Sequence, residues 1–267
     1  MIFLIKIDDW IGNIIMQKIA FIASKSKTAQ ESLIVLEQTY GNTTIEEAEL
    51  IVALGGDGFM LEALHSTFHL NCPVYGMNRG SVGFLMNEFS PDQLIKRLSQ
   101  AEEAVIHPLR MQAHCSDGTE FEALAINEVS LIRAGPQAAK LQISVDGRVR
   151  LPELVCDGAL LSTPAGSTAY NYSAHGPILP IGADILAMTA MAAFRPRRWR
   201  GALLPKSARV RFDVLEPGKR PVTASADSKK AYDILSVDIF SAPDQKHRIL
   251  FDPGHGLEER LIREQFV

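Results

Sequence analysis

From Lys18 onward, short apolar runs alternate with longer mixed ones. Lys18-Ile19-Ala20-Phe21-Ile22-Ala23 predicts a first strand, and Ser24-Lys25-Ser26 then leads into a helix through about Tyr40. Leu50-Ile51-Val52-Ala53-Leu54 predicts a buried strand, followed by a glycine turn and a helix ending near Leu70. Pro73-Val74-Tyr75-Gly76-Met77 predicts a third strand, and Asn78 to Gly83 a loop. Ser90-Pro91 predicts the opening of another helix, with Ser90 as N-cap and Pro91 at the first helical position. Strands alternating with helices predict a parallel, helix-covered sheet of Rossmann-like type.

The texture changes near residue 104. Segments become short and β-like at Val105–His107, Met111–His114, Glu120–Ile126 and Leu141–Val145, with turn signals at Asp117-Gly118 and Asp146-Gly147. Further strands are expected at Ala159–Ser162, Arg209–Val214, Val222–Ala226 and Ser236–Phe240, and a short Ala-rich helix at Ala183–Ala193. The fold class that follows is an α/β N-terminal domain plus an all-β C-terminal domain. The tail from Gly256 to Arg263 reads as a helix packing back on the first domain. The expected division is residues 16–103 with 250–267 for the α/β domain and 104–249 for the β-rich one. Residues 1–15, ahead of Met16, read as an extension without a catalytic role.

Composition adds little. The chain has 267 residues, 46% of them hydrophobic and 22% charged, as in an ordinary globular protein. Its net charge of -4 predicts no bulk attraction to nucleic acid or anionic membrane. Three widely spaced cysteines, Cys72, Cys115 and Cys156, form no metal-binding pattern and fit a reducing cytoplasm as small buried side chains. The apolar start is interrupted by Lys6, Asp8 and Asp9, so neither a membrane span nor a secretory signal is expected there.

The chemistry starts at Gly55-Gly56-Asp57-Gly58, between the second strand and its helix. Glycines let a ligand lie against bare backbone, and the helix start favours anions. An acid beside such a cradle points to phosphoryl transfer. The bland alternative is a structural turn with Asp57 as a helix cap. A second segment, Cys156-Asp157-Gly158 through Ser162-Thr163-Pro164-Ala165-Gly166-Ser167-Thr168-Ala169-Tyr170, ends in a loop dense in hydroxyls, with Tyr170 as a surface for a base. Asn127-Glu128 follows the strand Leu124-Ala125-Ile126; Asn pairs a donor with an acceptor, and Glu accepts from ribose hydroxyls. Glu62, His65 and His69 share a helix face at metal-compatible spacing, but a wet helix face is the safer reading, and no protein-bound metal is expected.

Taken together, these elements resemble the NAD kinases. Gly55-Gly56-Asp57-Gly58, Asn78-Arg79-Gly80-Ser81-Val82-Gly83-Phe84-Leu85, Asn127-Glu128-Val129 and the run from Ser162 to Tyr170 continuing to Gly176-Pro177 occur in the family's order. The glycine-Asp turn is shared with lipid kinases and phosphofructokinases; the Thr-Pro-x-Gly-Ser-Thr-Ala-Tyr run is far more particular. The resemblance implies transfer of phosphate from ATP or polyphosphate to the 2′-hydroxyl of the adenosine ribose of NAD, with Mg²⁺ accompanying ATP. It implies Asp57 as the base, Gly58 shaping its pocket, and Asn127 and Glu128 holding the adenosine portion. Asp157 would bind the nicotinamide half. Thr168, Ala169, Tyr170 and Ser173 would line the cleft, with Ala165 and Ala192 as close neighbours. Gly55, Gly56, Asn78, Arg79 and Gly80 would face the donor phosphates. A cytoplasmic homodimer or homotetramer is implied as well.

Two stretches depart from the family pattern. Ala226-Asp227-Ser228 stands where the family often has Asp-Gly or Asp-His, and Arg195-Pro196-Arg197-Arg198-Trp199-Arg200 fits its region only loosely. The alternatives are a lipid kinase with the same glycine turn, which the Ser/Thr-rich loop opposes, and a sensor that binds NAD(P)(H) without turnover.

Overall fold

The computed structural model describes residues 18–80, 83–254, 256 and 259–260. The expected extension at 1–15 and most of the expected tail helix lie outside them. The chain forms two compact units, one running to Ile106 and resuming at Lys246, the other His107–Gln245.

The first unit is built on strands β1 (Ile19–Ala23), β2 (Leu50–Gly55), β3 (Val74–Asn78), β4 (Glu102–Ile106) and β17 (His247–Phe251), in the order β1-β2-β3-β17-β4. β1, β2 and β3 are parallel; β17 runs parallel to β3 and antiparallel to β4. All six residues of β2 are buried, as a central parallel strand requires. Helices α1 (Lys27–Tyr40), α2 (Asp57–Ser66) and α3 (Leu94–Gln100) supply Leu36, Met60 and Leu94 to the interior. Ser26 caps α1, accepting from the Ala29 N–H at 3.3 Å.

The expected start of the next helix at Ser90-Pro91 is corrected: α3 begins at Leu94, after Gln93 in the left-handed region (φ 54°). Pro91 is instead fixed by its carbonyl, which accepts the Tyr40 hydroxyl at 2.7 Å.

The second unit contains two six-stranded sheets. One comprises β5 (Leu109–Cys115), β6 (Glu120–Ala125), β8 (Ala139–Val145), β9 (Arg148–Cys156), β13 (Val210–Val214) and β16 (Ile234–Ser241), in the order β6-β5-β16-β13-β8-β9. The other comprises β7 (Glu128–Arg133), β10 (Gly158–Ser162), β11 (Ile185–Met191), β12 (Gly201–Pro205), β14 (Val222–Ala226) and β15 (Lys229–Ala231), in the order β12-β11-β10-β7-β14-β15. All pairings are antiparallel. Alternating side chains of both sheets meet in one core, Met111, Ile143 and Phe212 from the first and Leu131, Leu161 and Met188 from the second.

The expected helix over Ala183–Ala193 is also corrected. Residues 185–191 form β11, with Leu161 opposite Met188 in register. Five consecutive residues of β11 are buried, so packing on both faces overrides the helical preference of its alanines. The Ser/Thr-rich stretch is likewise not an open loop. It winds through a 3₁₀ turn at Ala165–Thr168 into the short helix α4 (Tyr170–Ser173). No helix of the described residues is long and apolar enough to cross a membrane.

Candidate functional site

In the first unit, the glycine turn sits at the carboxyl end of β2, beside the end of β3. Ligands of open parallel sheets bind at such ends. Asp57 is the first residue of α2, and its N-cap is Gly56, which brings no side-chain cap. Asp57 therefore does not cap its own helix. Its carboxylate reaches across to another loop, where Oδ2 accepts the Phe84 N–H at 2.7 Å and Oδ1 the Leu85 N–H at 2.9 Å. Each oxygen keeps a second lone pair for another donor.

The residues expected at the donor phosphates gather at this same end. The Arg79 N–H donates to the Gly55 carbonyl at 2.7 Å, and Asn78 Oδ1 accepts the Gly80 N–H at 2.9 Å. The Arg79 guanidinium lies 4.2 Å over the Phe89 ring, and its Nε is buried without a hydrogen-bond partner among the described residues. Gly58 is exposed on the first turn of α2.

In the second unit, Asn127 and Glu128 stand where β7 begins. Glu128 pairs with Ser162 at the end of β10, so the Thr163–Ser173 segment springs from beside them. Thr163 binds this corner: its Oγ1 donates to the Ile126 carbonyl at 2.7 Å, and its N–H to the Asn127 carbonyl at 2.9 Å. Gly166 lies so close that a Cβ there would fall 2.2 Å from the Asn127 carbonyl oxygen. Ala165 is buried, while Tyr170 and Ser173 are exposed. Glu128 Oε2 is buried with no hydrogen-bond partner among the described residues. Burial pushes the Glu128 carboxyl up to about 8, the Asp227 charge adds to this, and the Tyr170 backbone N–H opposes it.

Asp157 and Ala192 lie elsewhere. Gly158, opposite Met191, begins the strand that ends at Ser162, so Asp157 is about 13 Å of strand away from the Glu128 corner. Asp157 accepts from Arg133 Nε at 2.6 Å, and its own N–H donates to the Met191 carbonyl at 3.0 Å. Ala192 follows directly, exposed and left-handed at φ 48°. The structure thus gathers Asn127, Glu128, Ala165, Thr168, Ala169, Tyr170 and Ser173 at one end of β10, and Asp157 with Ala192 at the other.

Two residues of this corner carry roles that the sequence left open. Asp227, left-handed at φ 49°, collects three consecutive backbone N–H groups: Ile126 at 2.7 Å, Asn127 at 3.0 Å and Glu128 at 3.3 Å. It sets the shape of the Asn127-Glu128 corner. Asn171 is fully buried; its Nδ2 donates to the Ser167 and Pro177 carbonyls, and its Oδ1 accepts from Thr189 Oγ1 at 2.6 Å. Asn171 stands one residue past Tyr170 and gives no signal by spacing alone. The wet-face reading of Glu62, His65 and His69 holds only in part. Glu62 and His69 are exposed, but His65 stands edge-on to the His247 ring at 6.0 Å. Among the described residues no three His, Cys, Asp or Glu side chains gather as a metal site.

The sequence pattern of the ATP-NAD kinase N-terminal domain matches residues 8–105, and that of the ATP-NAD kinase C-terminal domain matches residues 126–243. An NAD kinase of Cereibacter sphaeroides is 66% identical over 251 residues, covering 94% of this chain and 99% of its own. One from Caulobacter vibrioides is 58% identical over 249 residues, covering 93% and 96%. Among solved structures, yeast NADH kinase complexed with NADH superposes with a TM-score of 0.81 at 20% identity, covering 94% of this chain and 87% of that one. An NAD kinase from Archaeoglobus fulgidus in complex with ATP gives 0.72 at 20% identity, covering 93% and 97%. At that identity the two structures speak for the fold alone.

Proposed function

This chain belongs to the NAD kinase family, and from that premise we propose how its residues share the work of phosphorylating NAD. It is a phosphotransferase with an alcohol group as acceptor. The acceptor is the 2′-hydroxyl of the adenosine ribose, and the donor is ATP, with polyphosphate as the other candidate. The hydroxyl oxygen attacks the terminal phosphorus, the bond to the leaving phosphate breaks, and the hydroxyl proton passes to Asp57. The transition state is loose, so the base need only orient the hydroxyl and take its proton late.

The observation that carries this reading is the held carboxylate. Asp57 has both oxygens pinned by backbone N–H groups and still offers a free lone pair on each. A base fixed in this way contributes orientation without reorganising during reaction. Gly58, exposed beside it, leaves the approach open. Gly55, Gly56, Asn78, Arg79 and Gly80 receive the donor phosphates, and the unpartnered Arg79 Nε supports that role. A divalent cation such as Mg²⁺ arrives with ATP as part of the substrate and neutralises its charge.

In the second unit, Asn127 and Glu128 hold the adenosine portion, with Thr168, Ala169, Tyr170 and Ser173 lining the place and Ala165 packed beneath. Asp157 and Ala192 serve the nicotinamide half. The protein acts in the cytoplasm, which its three free cysteines fit. It works as a homodimer or homotetramer; the edge strand β12 with exposed Leu203 supports such contacts.

The test is formation of NADP⁺ from NAD with Mg-ATP, or with polyphosphate, by the wild type and by Asp57→Asn. The variant is expected to lose most of kcat and keep its NAD affinity. Near-wild-type turnover would remove Asp57 from the chemistry. NAD binding without any NADP⁺ formed by the wild type would point to a sensor instead.

A further inference from the structure

Residues 83–86 lie between an acid and a base. Two consecutive peptide groups bridge them. In the first, the Gly83 carbonyl accepts from Arg260 Nη1 at 3.2 Å and the Phe84 N–H donates to Asp57 Oδ2 at 2.7 Å. In the second, the Phe84 carbonyl accepts from Arg260 Nη1 at 3.2 Å and the Leu85 N–H donates to Asp57 Oδ1 at 2.9 Å. The Met86 carbonyl also accepts from Arg260 Nη1, whose two N–H groups are shared among the three carbonyls. In a trans peptide the C=O and N–H point in opposite directions, so each group lies in line from guanidinium to carboxylate. A charge at each end polarises the same peptide, which strengthens both of its hydrogen bonds.

This segment belongs to none of the strands, and bridge pairing resumes only at Asn87, opposite Met77. Side chains therefore locate it. Arg260 is itself seated: its guanidinium lies 5.2 Å from the Phe251 ring, and its N–H donates to the Gly256 carbonyl at 3.3 Å. Glycine at 83 is required by the same closeness, since a Cβ there would fall 2.3 Å from Asp57 Oδ1.

We propose that Arg260, just over two hundred residues beyond Asp57 in the chain, is a positioning residue for its carboxylate, acting through the peptide groups of Gly83, Phe84 and Leu85. Arg260 touches no reacting atom. It holds the carbonyls, the carbonyls fix the two N–H donors, and the donors fix the acid. This inference rests on the reading of Asp57 as the proton acceptor. Leu85 and Met86 stay buried and keep the segment in place, but loss of the guanidinium frees its carbonyls to tilt, and small displacements at a reacting centre lower rates on the order of 10- to 100-fold.

The experiment compares Arg260→Ala, Arg260→Lys, Asp57→Asn and the double variant Asp57→Asn/Arg260→Ala in the NADP⁺ assay. Arg260→Ala is expected to lower kcat on the order of 10- to 100-fold, with KM for NAD and ATP nearly unchanged. Added guanidinium ion should restore part of that loss, and Arg260→Lys should fall between. In the Asp57→Asn background, Arg260→Ala should lower kcat no further. Wild-type kcat in Arg260→Ala, a loss confined to KM, or an equal further loss in the double variant would each overturn the proposal. Should Arg260→Ala not fold, Arg260→Lys is read by the same criteria. If Asp57→Asn keeps its turnover, the reading of Asp57 fails first; if it collapses while Arg260→Ala is unaffected, only the role of Arg260 falls.

Discussion

The Asp227 carboxylate holds the backbone N–H of Glu128 at 3.3 Å, and its charge acts on the Glu128 side chain at the same time. One acid thus shapes the corner and adds to the burial that keeps another protonated. Asp227 is satisfied there by backbone donors, whereas Glu128 Oε2 is buried without a partner among the described residues. Burial therefore favours the protonated form of Glu128.

Glu128 should make the fold weaker as pH rises. Its carboxyl is raised from the ordinary 4.5 to about 8, so between these values the folded chain keeps a proton that the unfolded chain has released. Stability then falls with rising pH across that window and levels off above about 8. Glu128→Gln mimics the neutral acid and removes this dependence. Urea unfolding of both proteins at pH 5 and pH 9 should show the variant gaining on the wild type at the higher pH. Parallel behaviour at both values would mean that Glu128 is charged in the fold throughout.

Asp227→Ala should be among the more damaging changes in this unit. It leaves three backbone N–H groups without their acceptor. Each buried donor left unpaired costs about 1–3 kcal/mol, less where water enters, so a loss of about 2–4 kcal/mol is expected. The corner that carries Asn127 would also lose its shape, and KM for NAD should rise more than kcat falls. Denaturant unfolding and steady-state kinetics check the two halves. A loss under about 0.5 kcal/mol would mean that other groups hold the corner.

The parallel strands β1, β2 and β3 were legible because they are short apolar runs, as in Leu50–Leu54, closed by glycine. The Asp57 and Tyr170 neighbourhoods stood out because glycines or hydroxyls cluster there, and Asn127-Glu128 because polar residues interrupt an apolar run. β11 was misread because Ala187 and Ala190 suit a helix until flanking strands claim their backbone. The return of the chain through β17 is a pairing with β3 across more than 170 residues, which no local pattern reports. Asp227 and Arg260 were illegible as partners for the same reason. Their hydrogen bonds go to backbone atoms, and a backbone acceptor or donor leaves no mark on residue type.

Gly166→Ala should disturb adenosine binding without touching any proposed contact side chain. The added Cβ would meet the Asn127 backbone, with the carbonyl carbon at 2.4 Å and Cα at 2.5 Å, and neither is the end of a flexible side chain. The strand end must shift, at about 1–3 kcal/mol. Affinity for NAD should drop several-fold, and calorimetric titration measures it. Unchanged affinity would place the adenosine away from this corner.

Gly83→Ala tests whether the placement of the Asp57 carboxylate matters apart from its identity. The added Cβ would stand 2.3 Å from Oδ1 and 2.9 Å from Oδ2, so the carboxylate must leave the Phe84 and Leu85 donors or push their segment away. The acid stays in the chain, ionisable and on the same helix turn. The obstacle is the steric meeting of that Cβ with the Asp57 carboxylate. The fold should lose about 1–3 kcal/mol, because the two bonds are part-buried and water replaces them incompletely. Turnover should fall on the order of 100-fold, since the acid no longer meets the hydroxyl in a fixed geometry. Stopped-flow or steady-state kcat, read beside Tm, separates the two effects. A variant with wild-type kcat would mean that the carboxylate works equally well unpinned, and the pinning seen here would then serve only to hold the loop.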